Sequence, residues 1–467
     1  MKPLWTQKFP TPAPLVGLPL RRYNAFMDAK GRVLLINPWI VDFAAHNLWI
    51  EPLGLLTLGA ALRENGYAVH LVDCLAPHPG APSPRGYGQG KFVKVDLPKP
   101  APVAHVPRRF GRYGLPPELF DAALAALPTP DLVLVTSGMT YWYPGVVEAI
   151  GRVRARFGAA PVALGGVYAG LCPAHARAHS GADWVVEGPG VVAVLEMADQ
   201  ITGARSDPQR YADPCTWPAP AHDLAFRSYA AVLTSWGCPL RCTYCASHRL
   251  QPTFVQRPPQ AVVDEIQGCW QRGARDVAFY DDALLVNADR HLTPILEGVL
   301  ARSLTPRFHT PNGLHARLIS DDLAVLMRRA GFVTVRLSLE TTNVQRQQAT
   351  GGKVDSPSFE RAVDRLQAAG FGPAELGAYI LAGLPGQPLD EVERTVRWVH
   401  SLKVQAKLAL YSPIPGTVDA EGMLPPDADP LLHNDTVFSY RLGPAHVAQL
   451  QRIKQLAKDG NNALLRP

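Results

Sequence analysis

Short apolar segments alternate with amphipathic segments of helical period in two successive series along this chain. The apolar segments of the first series are residues 32–37, 68–73, 132–136, 161–164 and 183–186. Continuous apolar runs of this length are typical of strands buried on both faces of a parallel sheet. The first series therefore predicts an α/β, doubly wound, Rossmann-like domain with five strands.

The second series has six strand-like segments with helical segments between them. The segments are residues 230–234, 277–280, 307–310, 334–339, 375–381 and 407–410. Six β/α repeats fall short of the eight that close a complete barrel, so we expect an open partial (β/α)6 barrel. In both architectures ligands bind at the carboxyl ends of the strands, and we expect functional residues there.

Proline marks the boundaries between these units, with 45 among 467 residues, nearly twice the usual ~5%. The prolines are frequent in an N-terminal segment, in one insertion and in a linker. The predicted organisation is an extended arm at 1–29, a first domain at 30–203 with an insertion at 76–117, a linker at 204–227, a barrel at 228–425 and a helical tail at 426–467.

Charge and cysteine usage narrow the class of protein. Lys and Arg number 46 and Asp and Glu 40, and no block of five or six like charges occurs. We therefore predict no clear nucleic-acid surface, and the lack of an apolar run of about 18 residues predicts no membrane span. The seven cysteines are an odd number with three inside eight residues, which favours a reduced, cytoplasmic protein with one ligand cluster.

The three clustered cysteines form a C-x3-C-x2-C motif directly after the first strand of the second series: Cys238, Cys242 and Cys245. Three thiolates on one tight loop suit three irons of a 4Fe-4S cluster and leave the fourth iron open for another ligand. The alternatives are a zinc site with a remote ligand such as His248, or chance clustering. Zinc sites more often pair two C-x2-C motifs or combine one with histidines.

This motif, with the aromatic Tyr244 before its last cysteine, resembles the signature of the radical S-adenosylmethionine (SAM) superfamily. The resemblance implies an anaerobic enzyme in which SAM chelates the open iron of a 4Fe-4S cluster. An electron from the cluster then cleaves SAM, and the 5'-deoxyadenosyl radical takes hydrogen from a substrate. It also implies a low-potential electron donor such as flavodoxin or ferredoxin. The cofactors supply the difficult chemistry and the protein positions them.

The resemblance places SAM contacts after the second and fourth strands of the barrel. Asp281 and Asp282 occupy the position where the family binds the ammonium of SAM, usually with Gly-Gly-Glu; helix capping is the alternative. Ser338 and Glu340 are two residues apart and share one face of a strand with Arg336. They are predicted to hold the ribose or the amino acid part of SAM. A salt-bridge network inside the barrel is the alternative.

Two later segments extend the resemblance. Gly383 and Gly386 end the fifth strand like the adenine contact of the family, although such a sequence alone would indicate a turn. Residues 311–317, after the third strand, resemble a segment of the cobalamin-type subgroup. The order of these segments along the chain matches that of the family.

A doubly wound domain ahead of the barrel resembles the branch of the superfamily with an N-terminal cobalamin-binding domain, over roughly residues 30–420. The cobalamin fingerprint of that branch is D-x-H-x-x-G, and here Asp73 is followed by Leu75 at the histidine position. Ser137 and the pair Gly165 and Gly166 resemble the segments that line the nucleotide tail of cobalamin, where small residues let the backbone approach closely. Alternatively, this domain binds no cobalamin and shapes the substrate pocket.

The resemblance implies cobalamin-dependent methylation of an unactivated carbon. The alternatives are a cobalamin-independent rearrangement or hydrogen abstraction, a methylthiotransferase, and a non-catalytic cobalamin or iron-sulfur binding protein. A methylthiotransferase needs an auxiliary cluster, but Cys74, Cys172 and Cys215 are widely spaced and, like Cys269, are predicted to be small buried hydrophobic residues. No residue identifies the substrate.

Overall fold

The structure is a computed structural model that describes residues 29–82, 86–225 and 227–466. The predicted arm therefore lies, except for residue 29, outside the described residues. The described chain contains two α/β units, and the C-terminal tail packs against both of them.

The first unit is a five-stranded parallel sheet, as the sequence predicts. Its strands are Arg32–Asn37 (β1), Ala68–Asp73 (β2), Leu132–Val135 (β3), Val162–Leu164 (β4) and Trp184–Val185 (β5). The strand order is β5-β4-β3-β1-β2. Helices cover both faces: Leu53–Glu64 (α1), Pro117–Ala125 (α2), Tyr143–Phe157 (α3), Val167–Leu171 (α4), Pro173–His179 (α5) and Val191–Thr202 (α6). The strand order reverses between β1 and β3, which is where ligands of such sheets bind.

The second unit is an open barrel of parallel strands, which confirms the predicted partial barrel. Its strands are Tyr229–Val232 (β6), Asp276–Phe279 (β7), Arg307–His309 (β8), Phe332–Glu340 (β9), Leu376–Ala382 (β10) and Gln405–Leu410 (β11), paired in chain order, with Leu314–His315 added beside β9. The helices are Ser247–Leu250 (α7), Pro259–Gln271 (α8), Leu292–Ala301 (α9), Asp321–Ala330 (α10), Val344–Ala349 (α11), Ser356–Ala368 (α12) and Leu389–Ser401 (α13). The longer helices pack their apolar faces on the outside of the sheet.

The insertion at 76–117 is packed against the body of the protein. Three short strands form a small antiparallel sheet, in which Gly111–Tyr113 pairs with both Ile40–Asp42 and Lys94–Asp96. Apolar residues of this sheet and of the insertion meet Leu431 and Val437 of the tail in one buried cluster. The tail continues as Asp435–Arg441 (α14) and Pro444–Leu464 (α15), the second of which packs on the barrel. Insertion and tail therefore hold the two units together.

Trp49, from the loop before α1, reaches into the amino-terminal end of the barrel. Its ring stacks on that of His309 with 4.0 Å between centroids, and its indole Nε1 donates to the Tyr87 carbonyl at 2.7 Å. Trp49 has a φ of 64°, a left-handed conformation that non-glycine residues seldom adopt. His309 and Trp49 are both buried. The first unit thus supplies the packing that closes this end of the barrel.

A buried ionic network joins the first unit, the linker and the barrel. The ring nitrogens of His222 lie 3.1 Å from Glu51 Oε2 and 3.0 Å from Glu265 Oε1. Arg257 Nη2 lies 2.6 Å from the second oxygen of Glu265. Burial lowers the pKa of His222, but hydrogen bonds to Cys269, Glu265 and Glu51 outweigh it and hold this pKa well above its usual range.

We expect this network to make stability depend on pH. The pKa of His222 is higher in the folded chain than the unfolded value of about 6.5. The stabilisation is therefore complete below about pH 6.5 and is lost as pH rises through the folded-state pKa. Thermal unfolding of the wild type should show a falling midpoint above neutral pH, and His222→Gln should reduce that slope. The exposed His46→Gln should keep the wild-type slope; equal slopes in the wild type and His222→Gln would contradict the assignment.

Candidate functional site

The cysteine motif lies on a tight loop after β6, at the carboxyl end of the barrel. Gly237 precedes it with a φ of 75°, and a Cβ there would lie 2.5 Å from the Thr253 carbonyl oxygen, so the turn requires glycine. Cys238, Cys242 and Cys245 are half-buried. The three cysteines thus share one sharply turned segment, as the sequence predicts.

Two other loops hold this segment in place. Thr243 Oγ1 donates to Asp419 Oδ2 at 2.9 Å, and the Asp419 amide donates to the Thr243 carbonyl at 3.1 Å. Gly351 packs so closely that a Cβ there would lie 3.2 Å from Cys242 Cα. The cysteine loop is therefore positioned by the segments that follow β11 and α11.

The chemistry of these donors fits a 4Fe-4S cluster. Soft thiolates favour iron-sulfur clusters, and binding replaces the thiol protons; burial raises the pKa of Cys242 to about 11. Within the described parts of the chain, no three His, Cys, Asp or Glu side chains converge as ligands of one metal ion. A cluster in which each of three irons takes one thiolate does not require such convergence.

Tyr244 and Glu340 meet beside the cysteine loop. The Tyr244 hydroxyl donates to Glu340 Oε1 at 3.0 Å. Glu340 ends β9 after an irregularity in its pairing and has a φ of 63°. Burial raises the pKa of the Glu340 carboxyl. A carboxylate held in a strained backbone conformation is typical of a functional site, and this one lies where the sequence predicts a SAM contact.

Lys353 is a cation of this site that the sequence prediction missed. Its Nζ donates to Ser338 Oγ at 2.7 Å and lies 3.9 Å from Glu340 Oε1. It follows Gly351 and Gly352, both with positive φ, on the loop that packs on Cys242. In the sequence, the pair Gly351 and Gly352 was the signal for this loop, because two adjacent glycines permit a tight turn. Lys353 therefore offers a positive charge to an anionic group near the cysteines.

The structure separates the two predicted aspartates. Asp281 is buried, and its carboxylate accepts hydrogen bonds from the Thr234 amide, the Thr234 hydroxyl and the Ser235 hydroxyl. These bonds give Asp281 a structural role in the turn after β6. Asp282, in contrast, is exposed to solvent, although neighbouring protein groups partly desolvate its carboxyl. Burial raises the pKa of Asp282, whereas a hydrogen bond with Ser247 and the positive charge of Lys353 lower it.

Gly383 and Gly386 form the turn after β10, with φ values of 95° and 63°. The Gln387 side chain accepts a hydrogen bond from the Gly383 amide at 2.9 Å and stabilises the turn. Leu384 belongs to an apolar cluster with Tyr411 and Phe438 that also contacts Tyr244. The turn and the cysteine loop are thus brought together around apolar surface, and a role in adenine binding stays a prediction.

Ser137, Gly165 and Gly166 lie together at the carboxyl ends of β3 and β4. Ser137 Oγ donates to the Gly165 carbonyl at 2.8 Å and accepts from the Tyr168 amide at 3.0 Å. Gly166 has a φ of 87°, and a Cβ there would lie 2.5 Å from the Ser137 carbonyl oxygen. A Cβ on Gly165, in contrast, would meet no atom within 4 Å. Gly165 therefore faces open space.

That open space is a cavity of about 210 Å³ between the two units. On the first unit it is lined mostly by apolar residues and glycines, among them Gly54 and Gly188, where an added Cβ would also meet nothing. Trp236, Leu250 and Gln251, which flank the cysteine loop, line its other side. An apolar cradle with glycine walls fits a bulky, largely apolar cofactor group.

The two residues of the cobalamin fingerprint lie elsewhere. Asp73 accepts hydrogen bonds from Asn37 Nδ2 at 2.7 Å and from the Leu75 amide at 2.8 Å, and it forms a buried ion pair with Arg227. Leu75 is buried in an apolar cluster with Ile40. Asp73 thus joins the first unit to the linker, and Leu75 supplies no ligand for a metal.

A family model described as the radical SAM superfamily matches residues 232–399. The second unit belongs to this superfamily. The matched range contains the last residue of β6, the cysteine loop and the whole of β7, β8, β9 and β10. The radical SAM domain uses a 4Fe-4S cluster and SAM, and the roles of the three cysteines, Tyr244 and Glu340 in binding them stay predictions.

Solved structures resemble both units together. The radical SAM methyltransferase TsrM of Kitasatospora setae, solved with cobalamin and a 4Fe-4S cluster, is 18% identical with a TM-score of 0.65 and covers 90% of each chain. The cobalamin-dependent radical enzyme OxsB is 12% identical with a TM-score of 0.58 and covers 91% of this chain and 56% of its own. At these identities the similarity establishes the fold, a doubly wound domain followed by a radical SAM domain.

A curated relative matches by sequence over a shorter range. An uncharacterized methyltransferase of Pyrococcus horikoshii is 24% identical over 217 residues, which are 43% of this chain and 45% of the relative. The match spans less than half of that relative's length.

Across the described residues, no helix is both long and apolar enough to cross a bilayer.

Proposed function

We propose that this chain is a cobalamin-dependent radical SAM enzyme that methylates an unactivated carbon. One observation carries the proposal: a single cavity is lined by the glycine-rich ligand edge of the first unit and by the residues flanking the cysteine loop. The fold shared with cobalamin-dependent radical SAM proteins supports this reading. The first unit would bind cobalamin next to the cluster without a histidine ligand from the fingerprint, because Leu75 occupies that position.

When bound by Cys238, Cys242 and Cys245, the cluster supplies the electron that cleaves SAM. Lys353 provides a cation for the carboxylate of SAM, and the accessible Asp282 provides an acceptor for its ammonium. Lys353 is positioned by its contacts with Ser338 and Glu340, and the cysteine loop by Asp419 and Gly351.

Neighbouring residues orient this constellation. Tyr244 holds the Glu340 carboxyl by the hydrogen bond of 3.0 Å, and Ser338 holds Lys353. The apolar cluster around Leu384 and Phe438 excludes water from the same region. The chain thus supplies binding, orientation and shielding.

Cobalamin, when bound in the cavity, carries the methyl group. We expect Gly165→Leu to fill the cavity and to lower cobalamin content at least tenfold, because Gly165 faces its open space. The measurement is the visible spectrum of protein produced with cobalamin supplied. Gly151→Leu is the matched control, since Gly151 also faces open space but lies on the exposed side of α3, and it should keep the corrin bands.

Product analysis separates the outcomes for the wild type. Corrin bands together with S-adenosylhomocysteine and 5'-deoxyadenosine after anaerobic reconstitution support the proposal. Cleavage of SAM without corrin bands would overturn the cobalamin part and favour a cobalamin-independent rearrangement. A protein that holds the cluster and never cleaves SAM is not the proposed enzyme.

We propose a cytoplasmic location, consistent with unpaired cysteines throughout the described chain. We also propose that a low-potential donor such as flavodoxin or ferredoxin reduces the cluster. Reduction of the reconstituted protein by either donor, followed by SAM cleavage, tests this step.

A further inference from the structure

Two cations, Arg336 and Lys407, lie on the barrel strands β9 and β11, which both pair with β10, close to the residues predicted to surround the cluster. Arg336 is on the same face of β9 as Ser338 and Glu340, but nearer the amino end of the strand. Tyr379 of β10 pairs with Ser338 on one side and with Lys407 of β11 on the other. Arg336 and Lys407 thus belong to one interior region that spans three neighbouring strands.

Arg336 lies flat across β10. Its Nη1 donates to the Glu375 carbonyl at 3.1 Å. A Cβ on Gly377 would lie 3.0 Å from the same nitrogen, so glycine at this position makes room for the guanidinium. No carboxylate oxygen of the described residues lies within 4.0 Å of Arg336. The predicted salt-bridge network with Glu340 therefore does not include it.

Lys407 also lacks an acidic partner. Its Nζ donates to Gln405 Oε1 at 2.8 Å, and in the described structure no carboxylate oxygen lies within 4.0 Å. Burial, together with the charge of Arg336, lowers the pKa of Lys407 to about 8. Two half-buried cations that share an interior without a counterion are unfavourable alone, and an anion bound between them would relieve the repulsion.

The surroundings leave these cations available to a substrate. Trp49 and His309 close the amino end of the barrel, so a ligand reaches the interior from the carboxyl end, where the cluster binds. The carboxylate of SAM has a separate cation there, Lys353. We propose that Arg336 and Lys407 bind an oxyanion of the substrate, a carboxylate or a phosphate, inside the barrel; the identity of this ligand as the substrate rests on the function proposed above.

The strand geometry then limits the length of the substrate. A strand rises about 3.3 Å per residue, so the Cα of Arg336 lies roughly 7 Å below that of Ser338 and farther below that of Glu340. The reacting carbon, which must approach SAM, is therefore separated from the anionic group by several bonds. Tyr379, whose hydroxyl donates to the Pro311 carbonyl at 2.6 Å, lies at the level of Ser338, nearer the carboxyl end of the barrel than Arg336.

Calorimetric titration of the full chain with inorganic phosphate, and separately with acetate, tests the proposal. We expect one or both anions to bind the wild type, and binding by phosphate alone or by acetate alone identifies the oxyanion. Arg336→Gln and Lys407→Met should each weaken binding about tenfold, as loss of a charge-assisted contact predicts. Arg397→Gln, which removes an exposed charge on α13, should bind like the wild type.

A second measurement covers the case in which a variant does not fold. By NMR of 13C-methylated lysines, the pKa of Lys407 in the wild type should rise when phosphate or acetate is added. Absence of anion binding in the wild type, or equal binding in the interior variants, would overturn the proposal. Failure of the wild type to cleave SAM would count against the proposed reaction and leave this anion test unaffected.

Discussion

Replacing Cys238, Cys242 and Cys245 by alanine is expected to abolish cluster binding. The reconstituted wild type should hold about four irons per chain, and the triple variant less than one. The reason is that the three thiols are the soft ligands on the loop that Gly237, Thr243 and Gly351 hold in place. Iron and acid-labile sulfide analysis after anaerobic reconstitution measures the effect.

Cys215→Ala is the matched control, because Cys215 is also half-buried and unpaired but lies outside the motif. It should bind as much iron as the wild type and cleave SAM normally. Retention of about four irons by the triple variant would refute the ligand assignment. Loss of iron in Cys215→Ala would mean that a cysteine of the linker takes part.

Arg227→Met is expected to destabilise the protein by about 3–5 kcal/mol, the usual cost of leaving one partner of a buried ion pair uncompensated. The side chains of Arg227 and Asp73 are only 2% and 5% exposed, and Arg227 Nη1 also donates to the Leu75 carbonyl at 2.9 Å. The midpoint of chemical denaturation, followed by circular dichroism, should fall clearly.

Arg63→Met provides the comparison, because Arg63 also pairs with a linker residue, Asp223, but the two side chains are 36% and 53% exposed. Exposed pairs contribute about 0–1 kcal/mol, so its midpoint should stay near that of the wild type. Equal midpoints for Arg227→Met and Arg63→Met would show that Asp73 is not the anchor of the linker. The predicted contact with cobalamin would then be the better explanation of Asp73.

The strands were predictable because their signal is local. β1 and β10 begin and end within about one residue of their predicted positions, since continuous apolar runs specify burial on both faces of a parallel sheet. The three clustered cysteines could be predicted from the sequence equally well, because they all lie on one loop. Likewise, Ser338 and Glu340 could be assigned to one face from their spacing alone.

Other features depend on contacts between distant parts of the chain. Sequence alone could not distinguish Asp281, whose carboxylate binds the turn after β6, from the exposed Asp282. Lys353 reaches the site because α11 and its following loop fold back onto the cysteine loop. His222 meets its two carboxylates only when three segments of the chain assemble.

The position of Trp49 has a consequence for the order of assembly during synthesis. The first unit leaves the ribosome before the barrel, and domains generally fold as they emerge. Trp49 can lose contact with water only after the segment containing His309 has been made and paired. The barrel, in turn, completes its inner packing only with a residue made some 260 positions earlier. Each unit therefore completes its packing only against the other. A chain truncated between the two units should expose the indole of Trp49, which is buried in the whole protein.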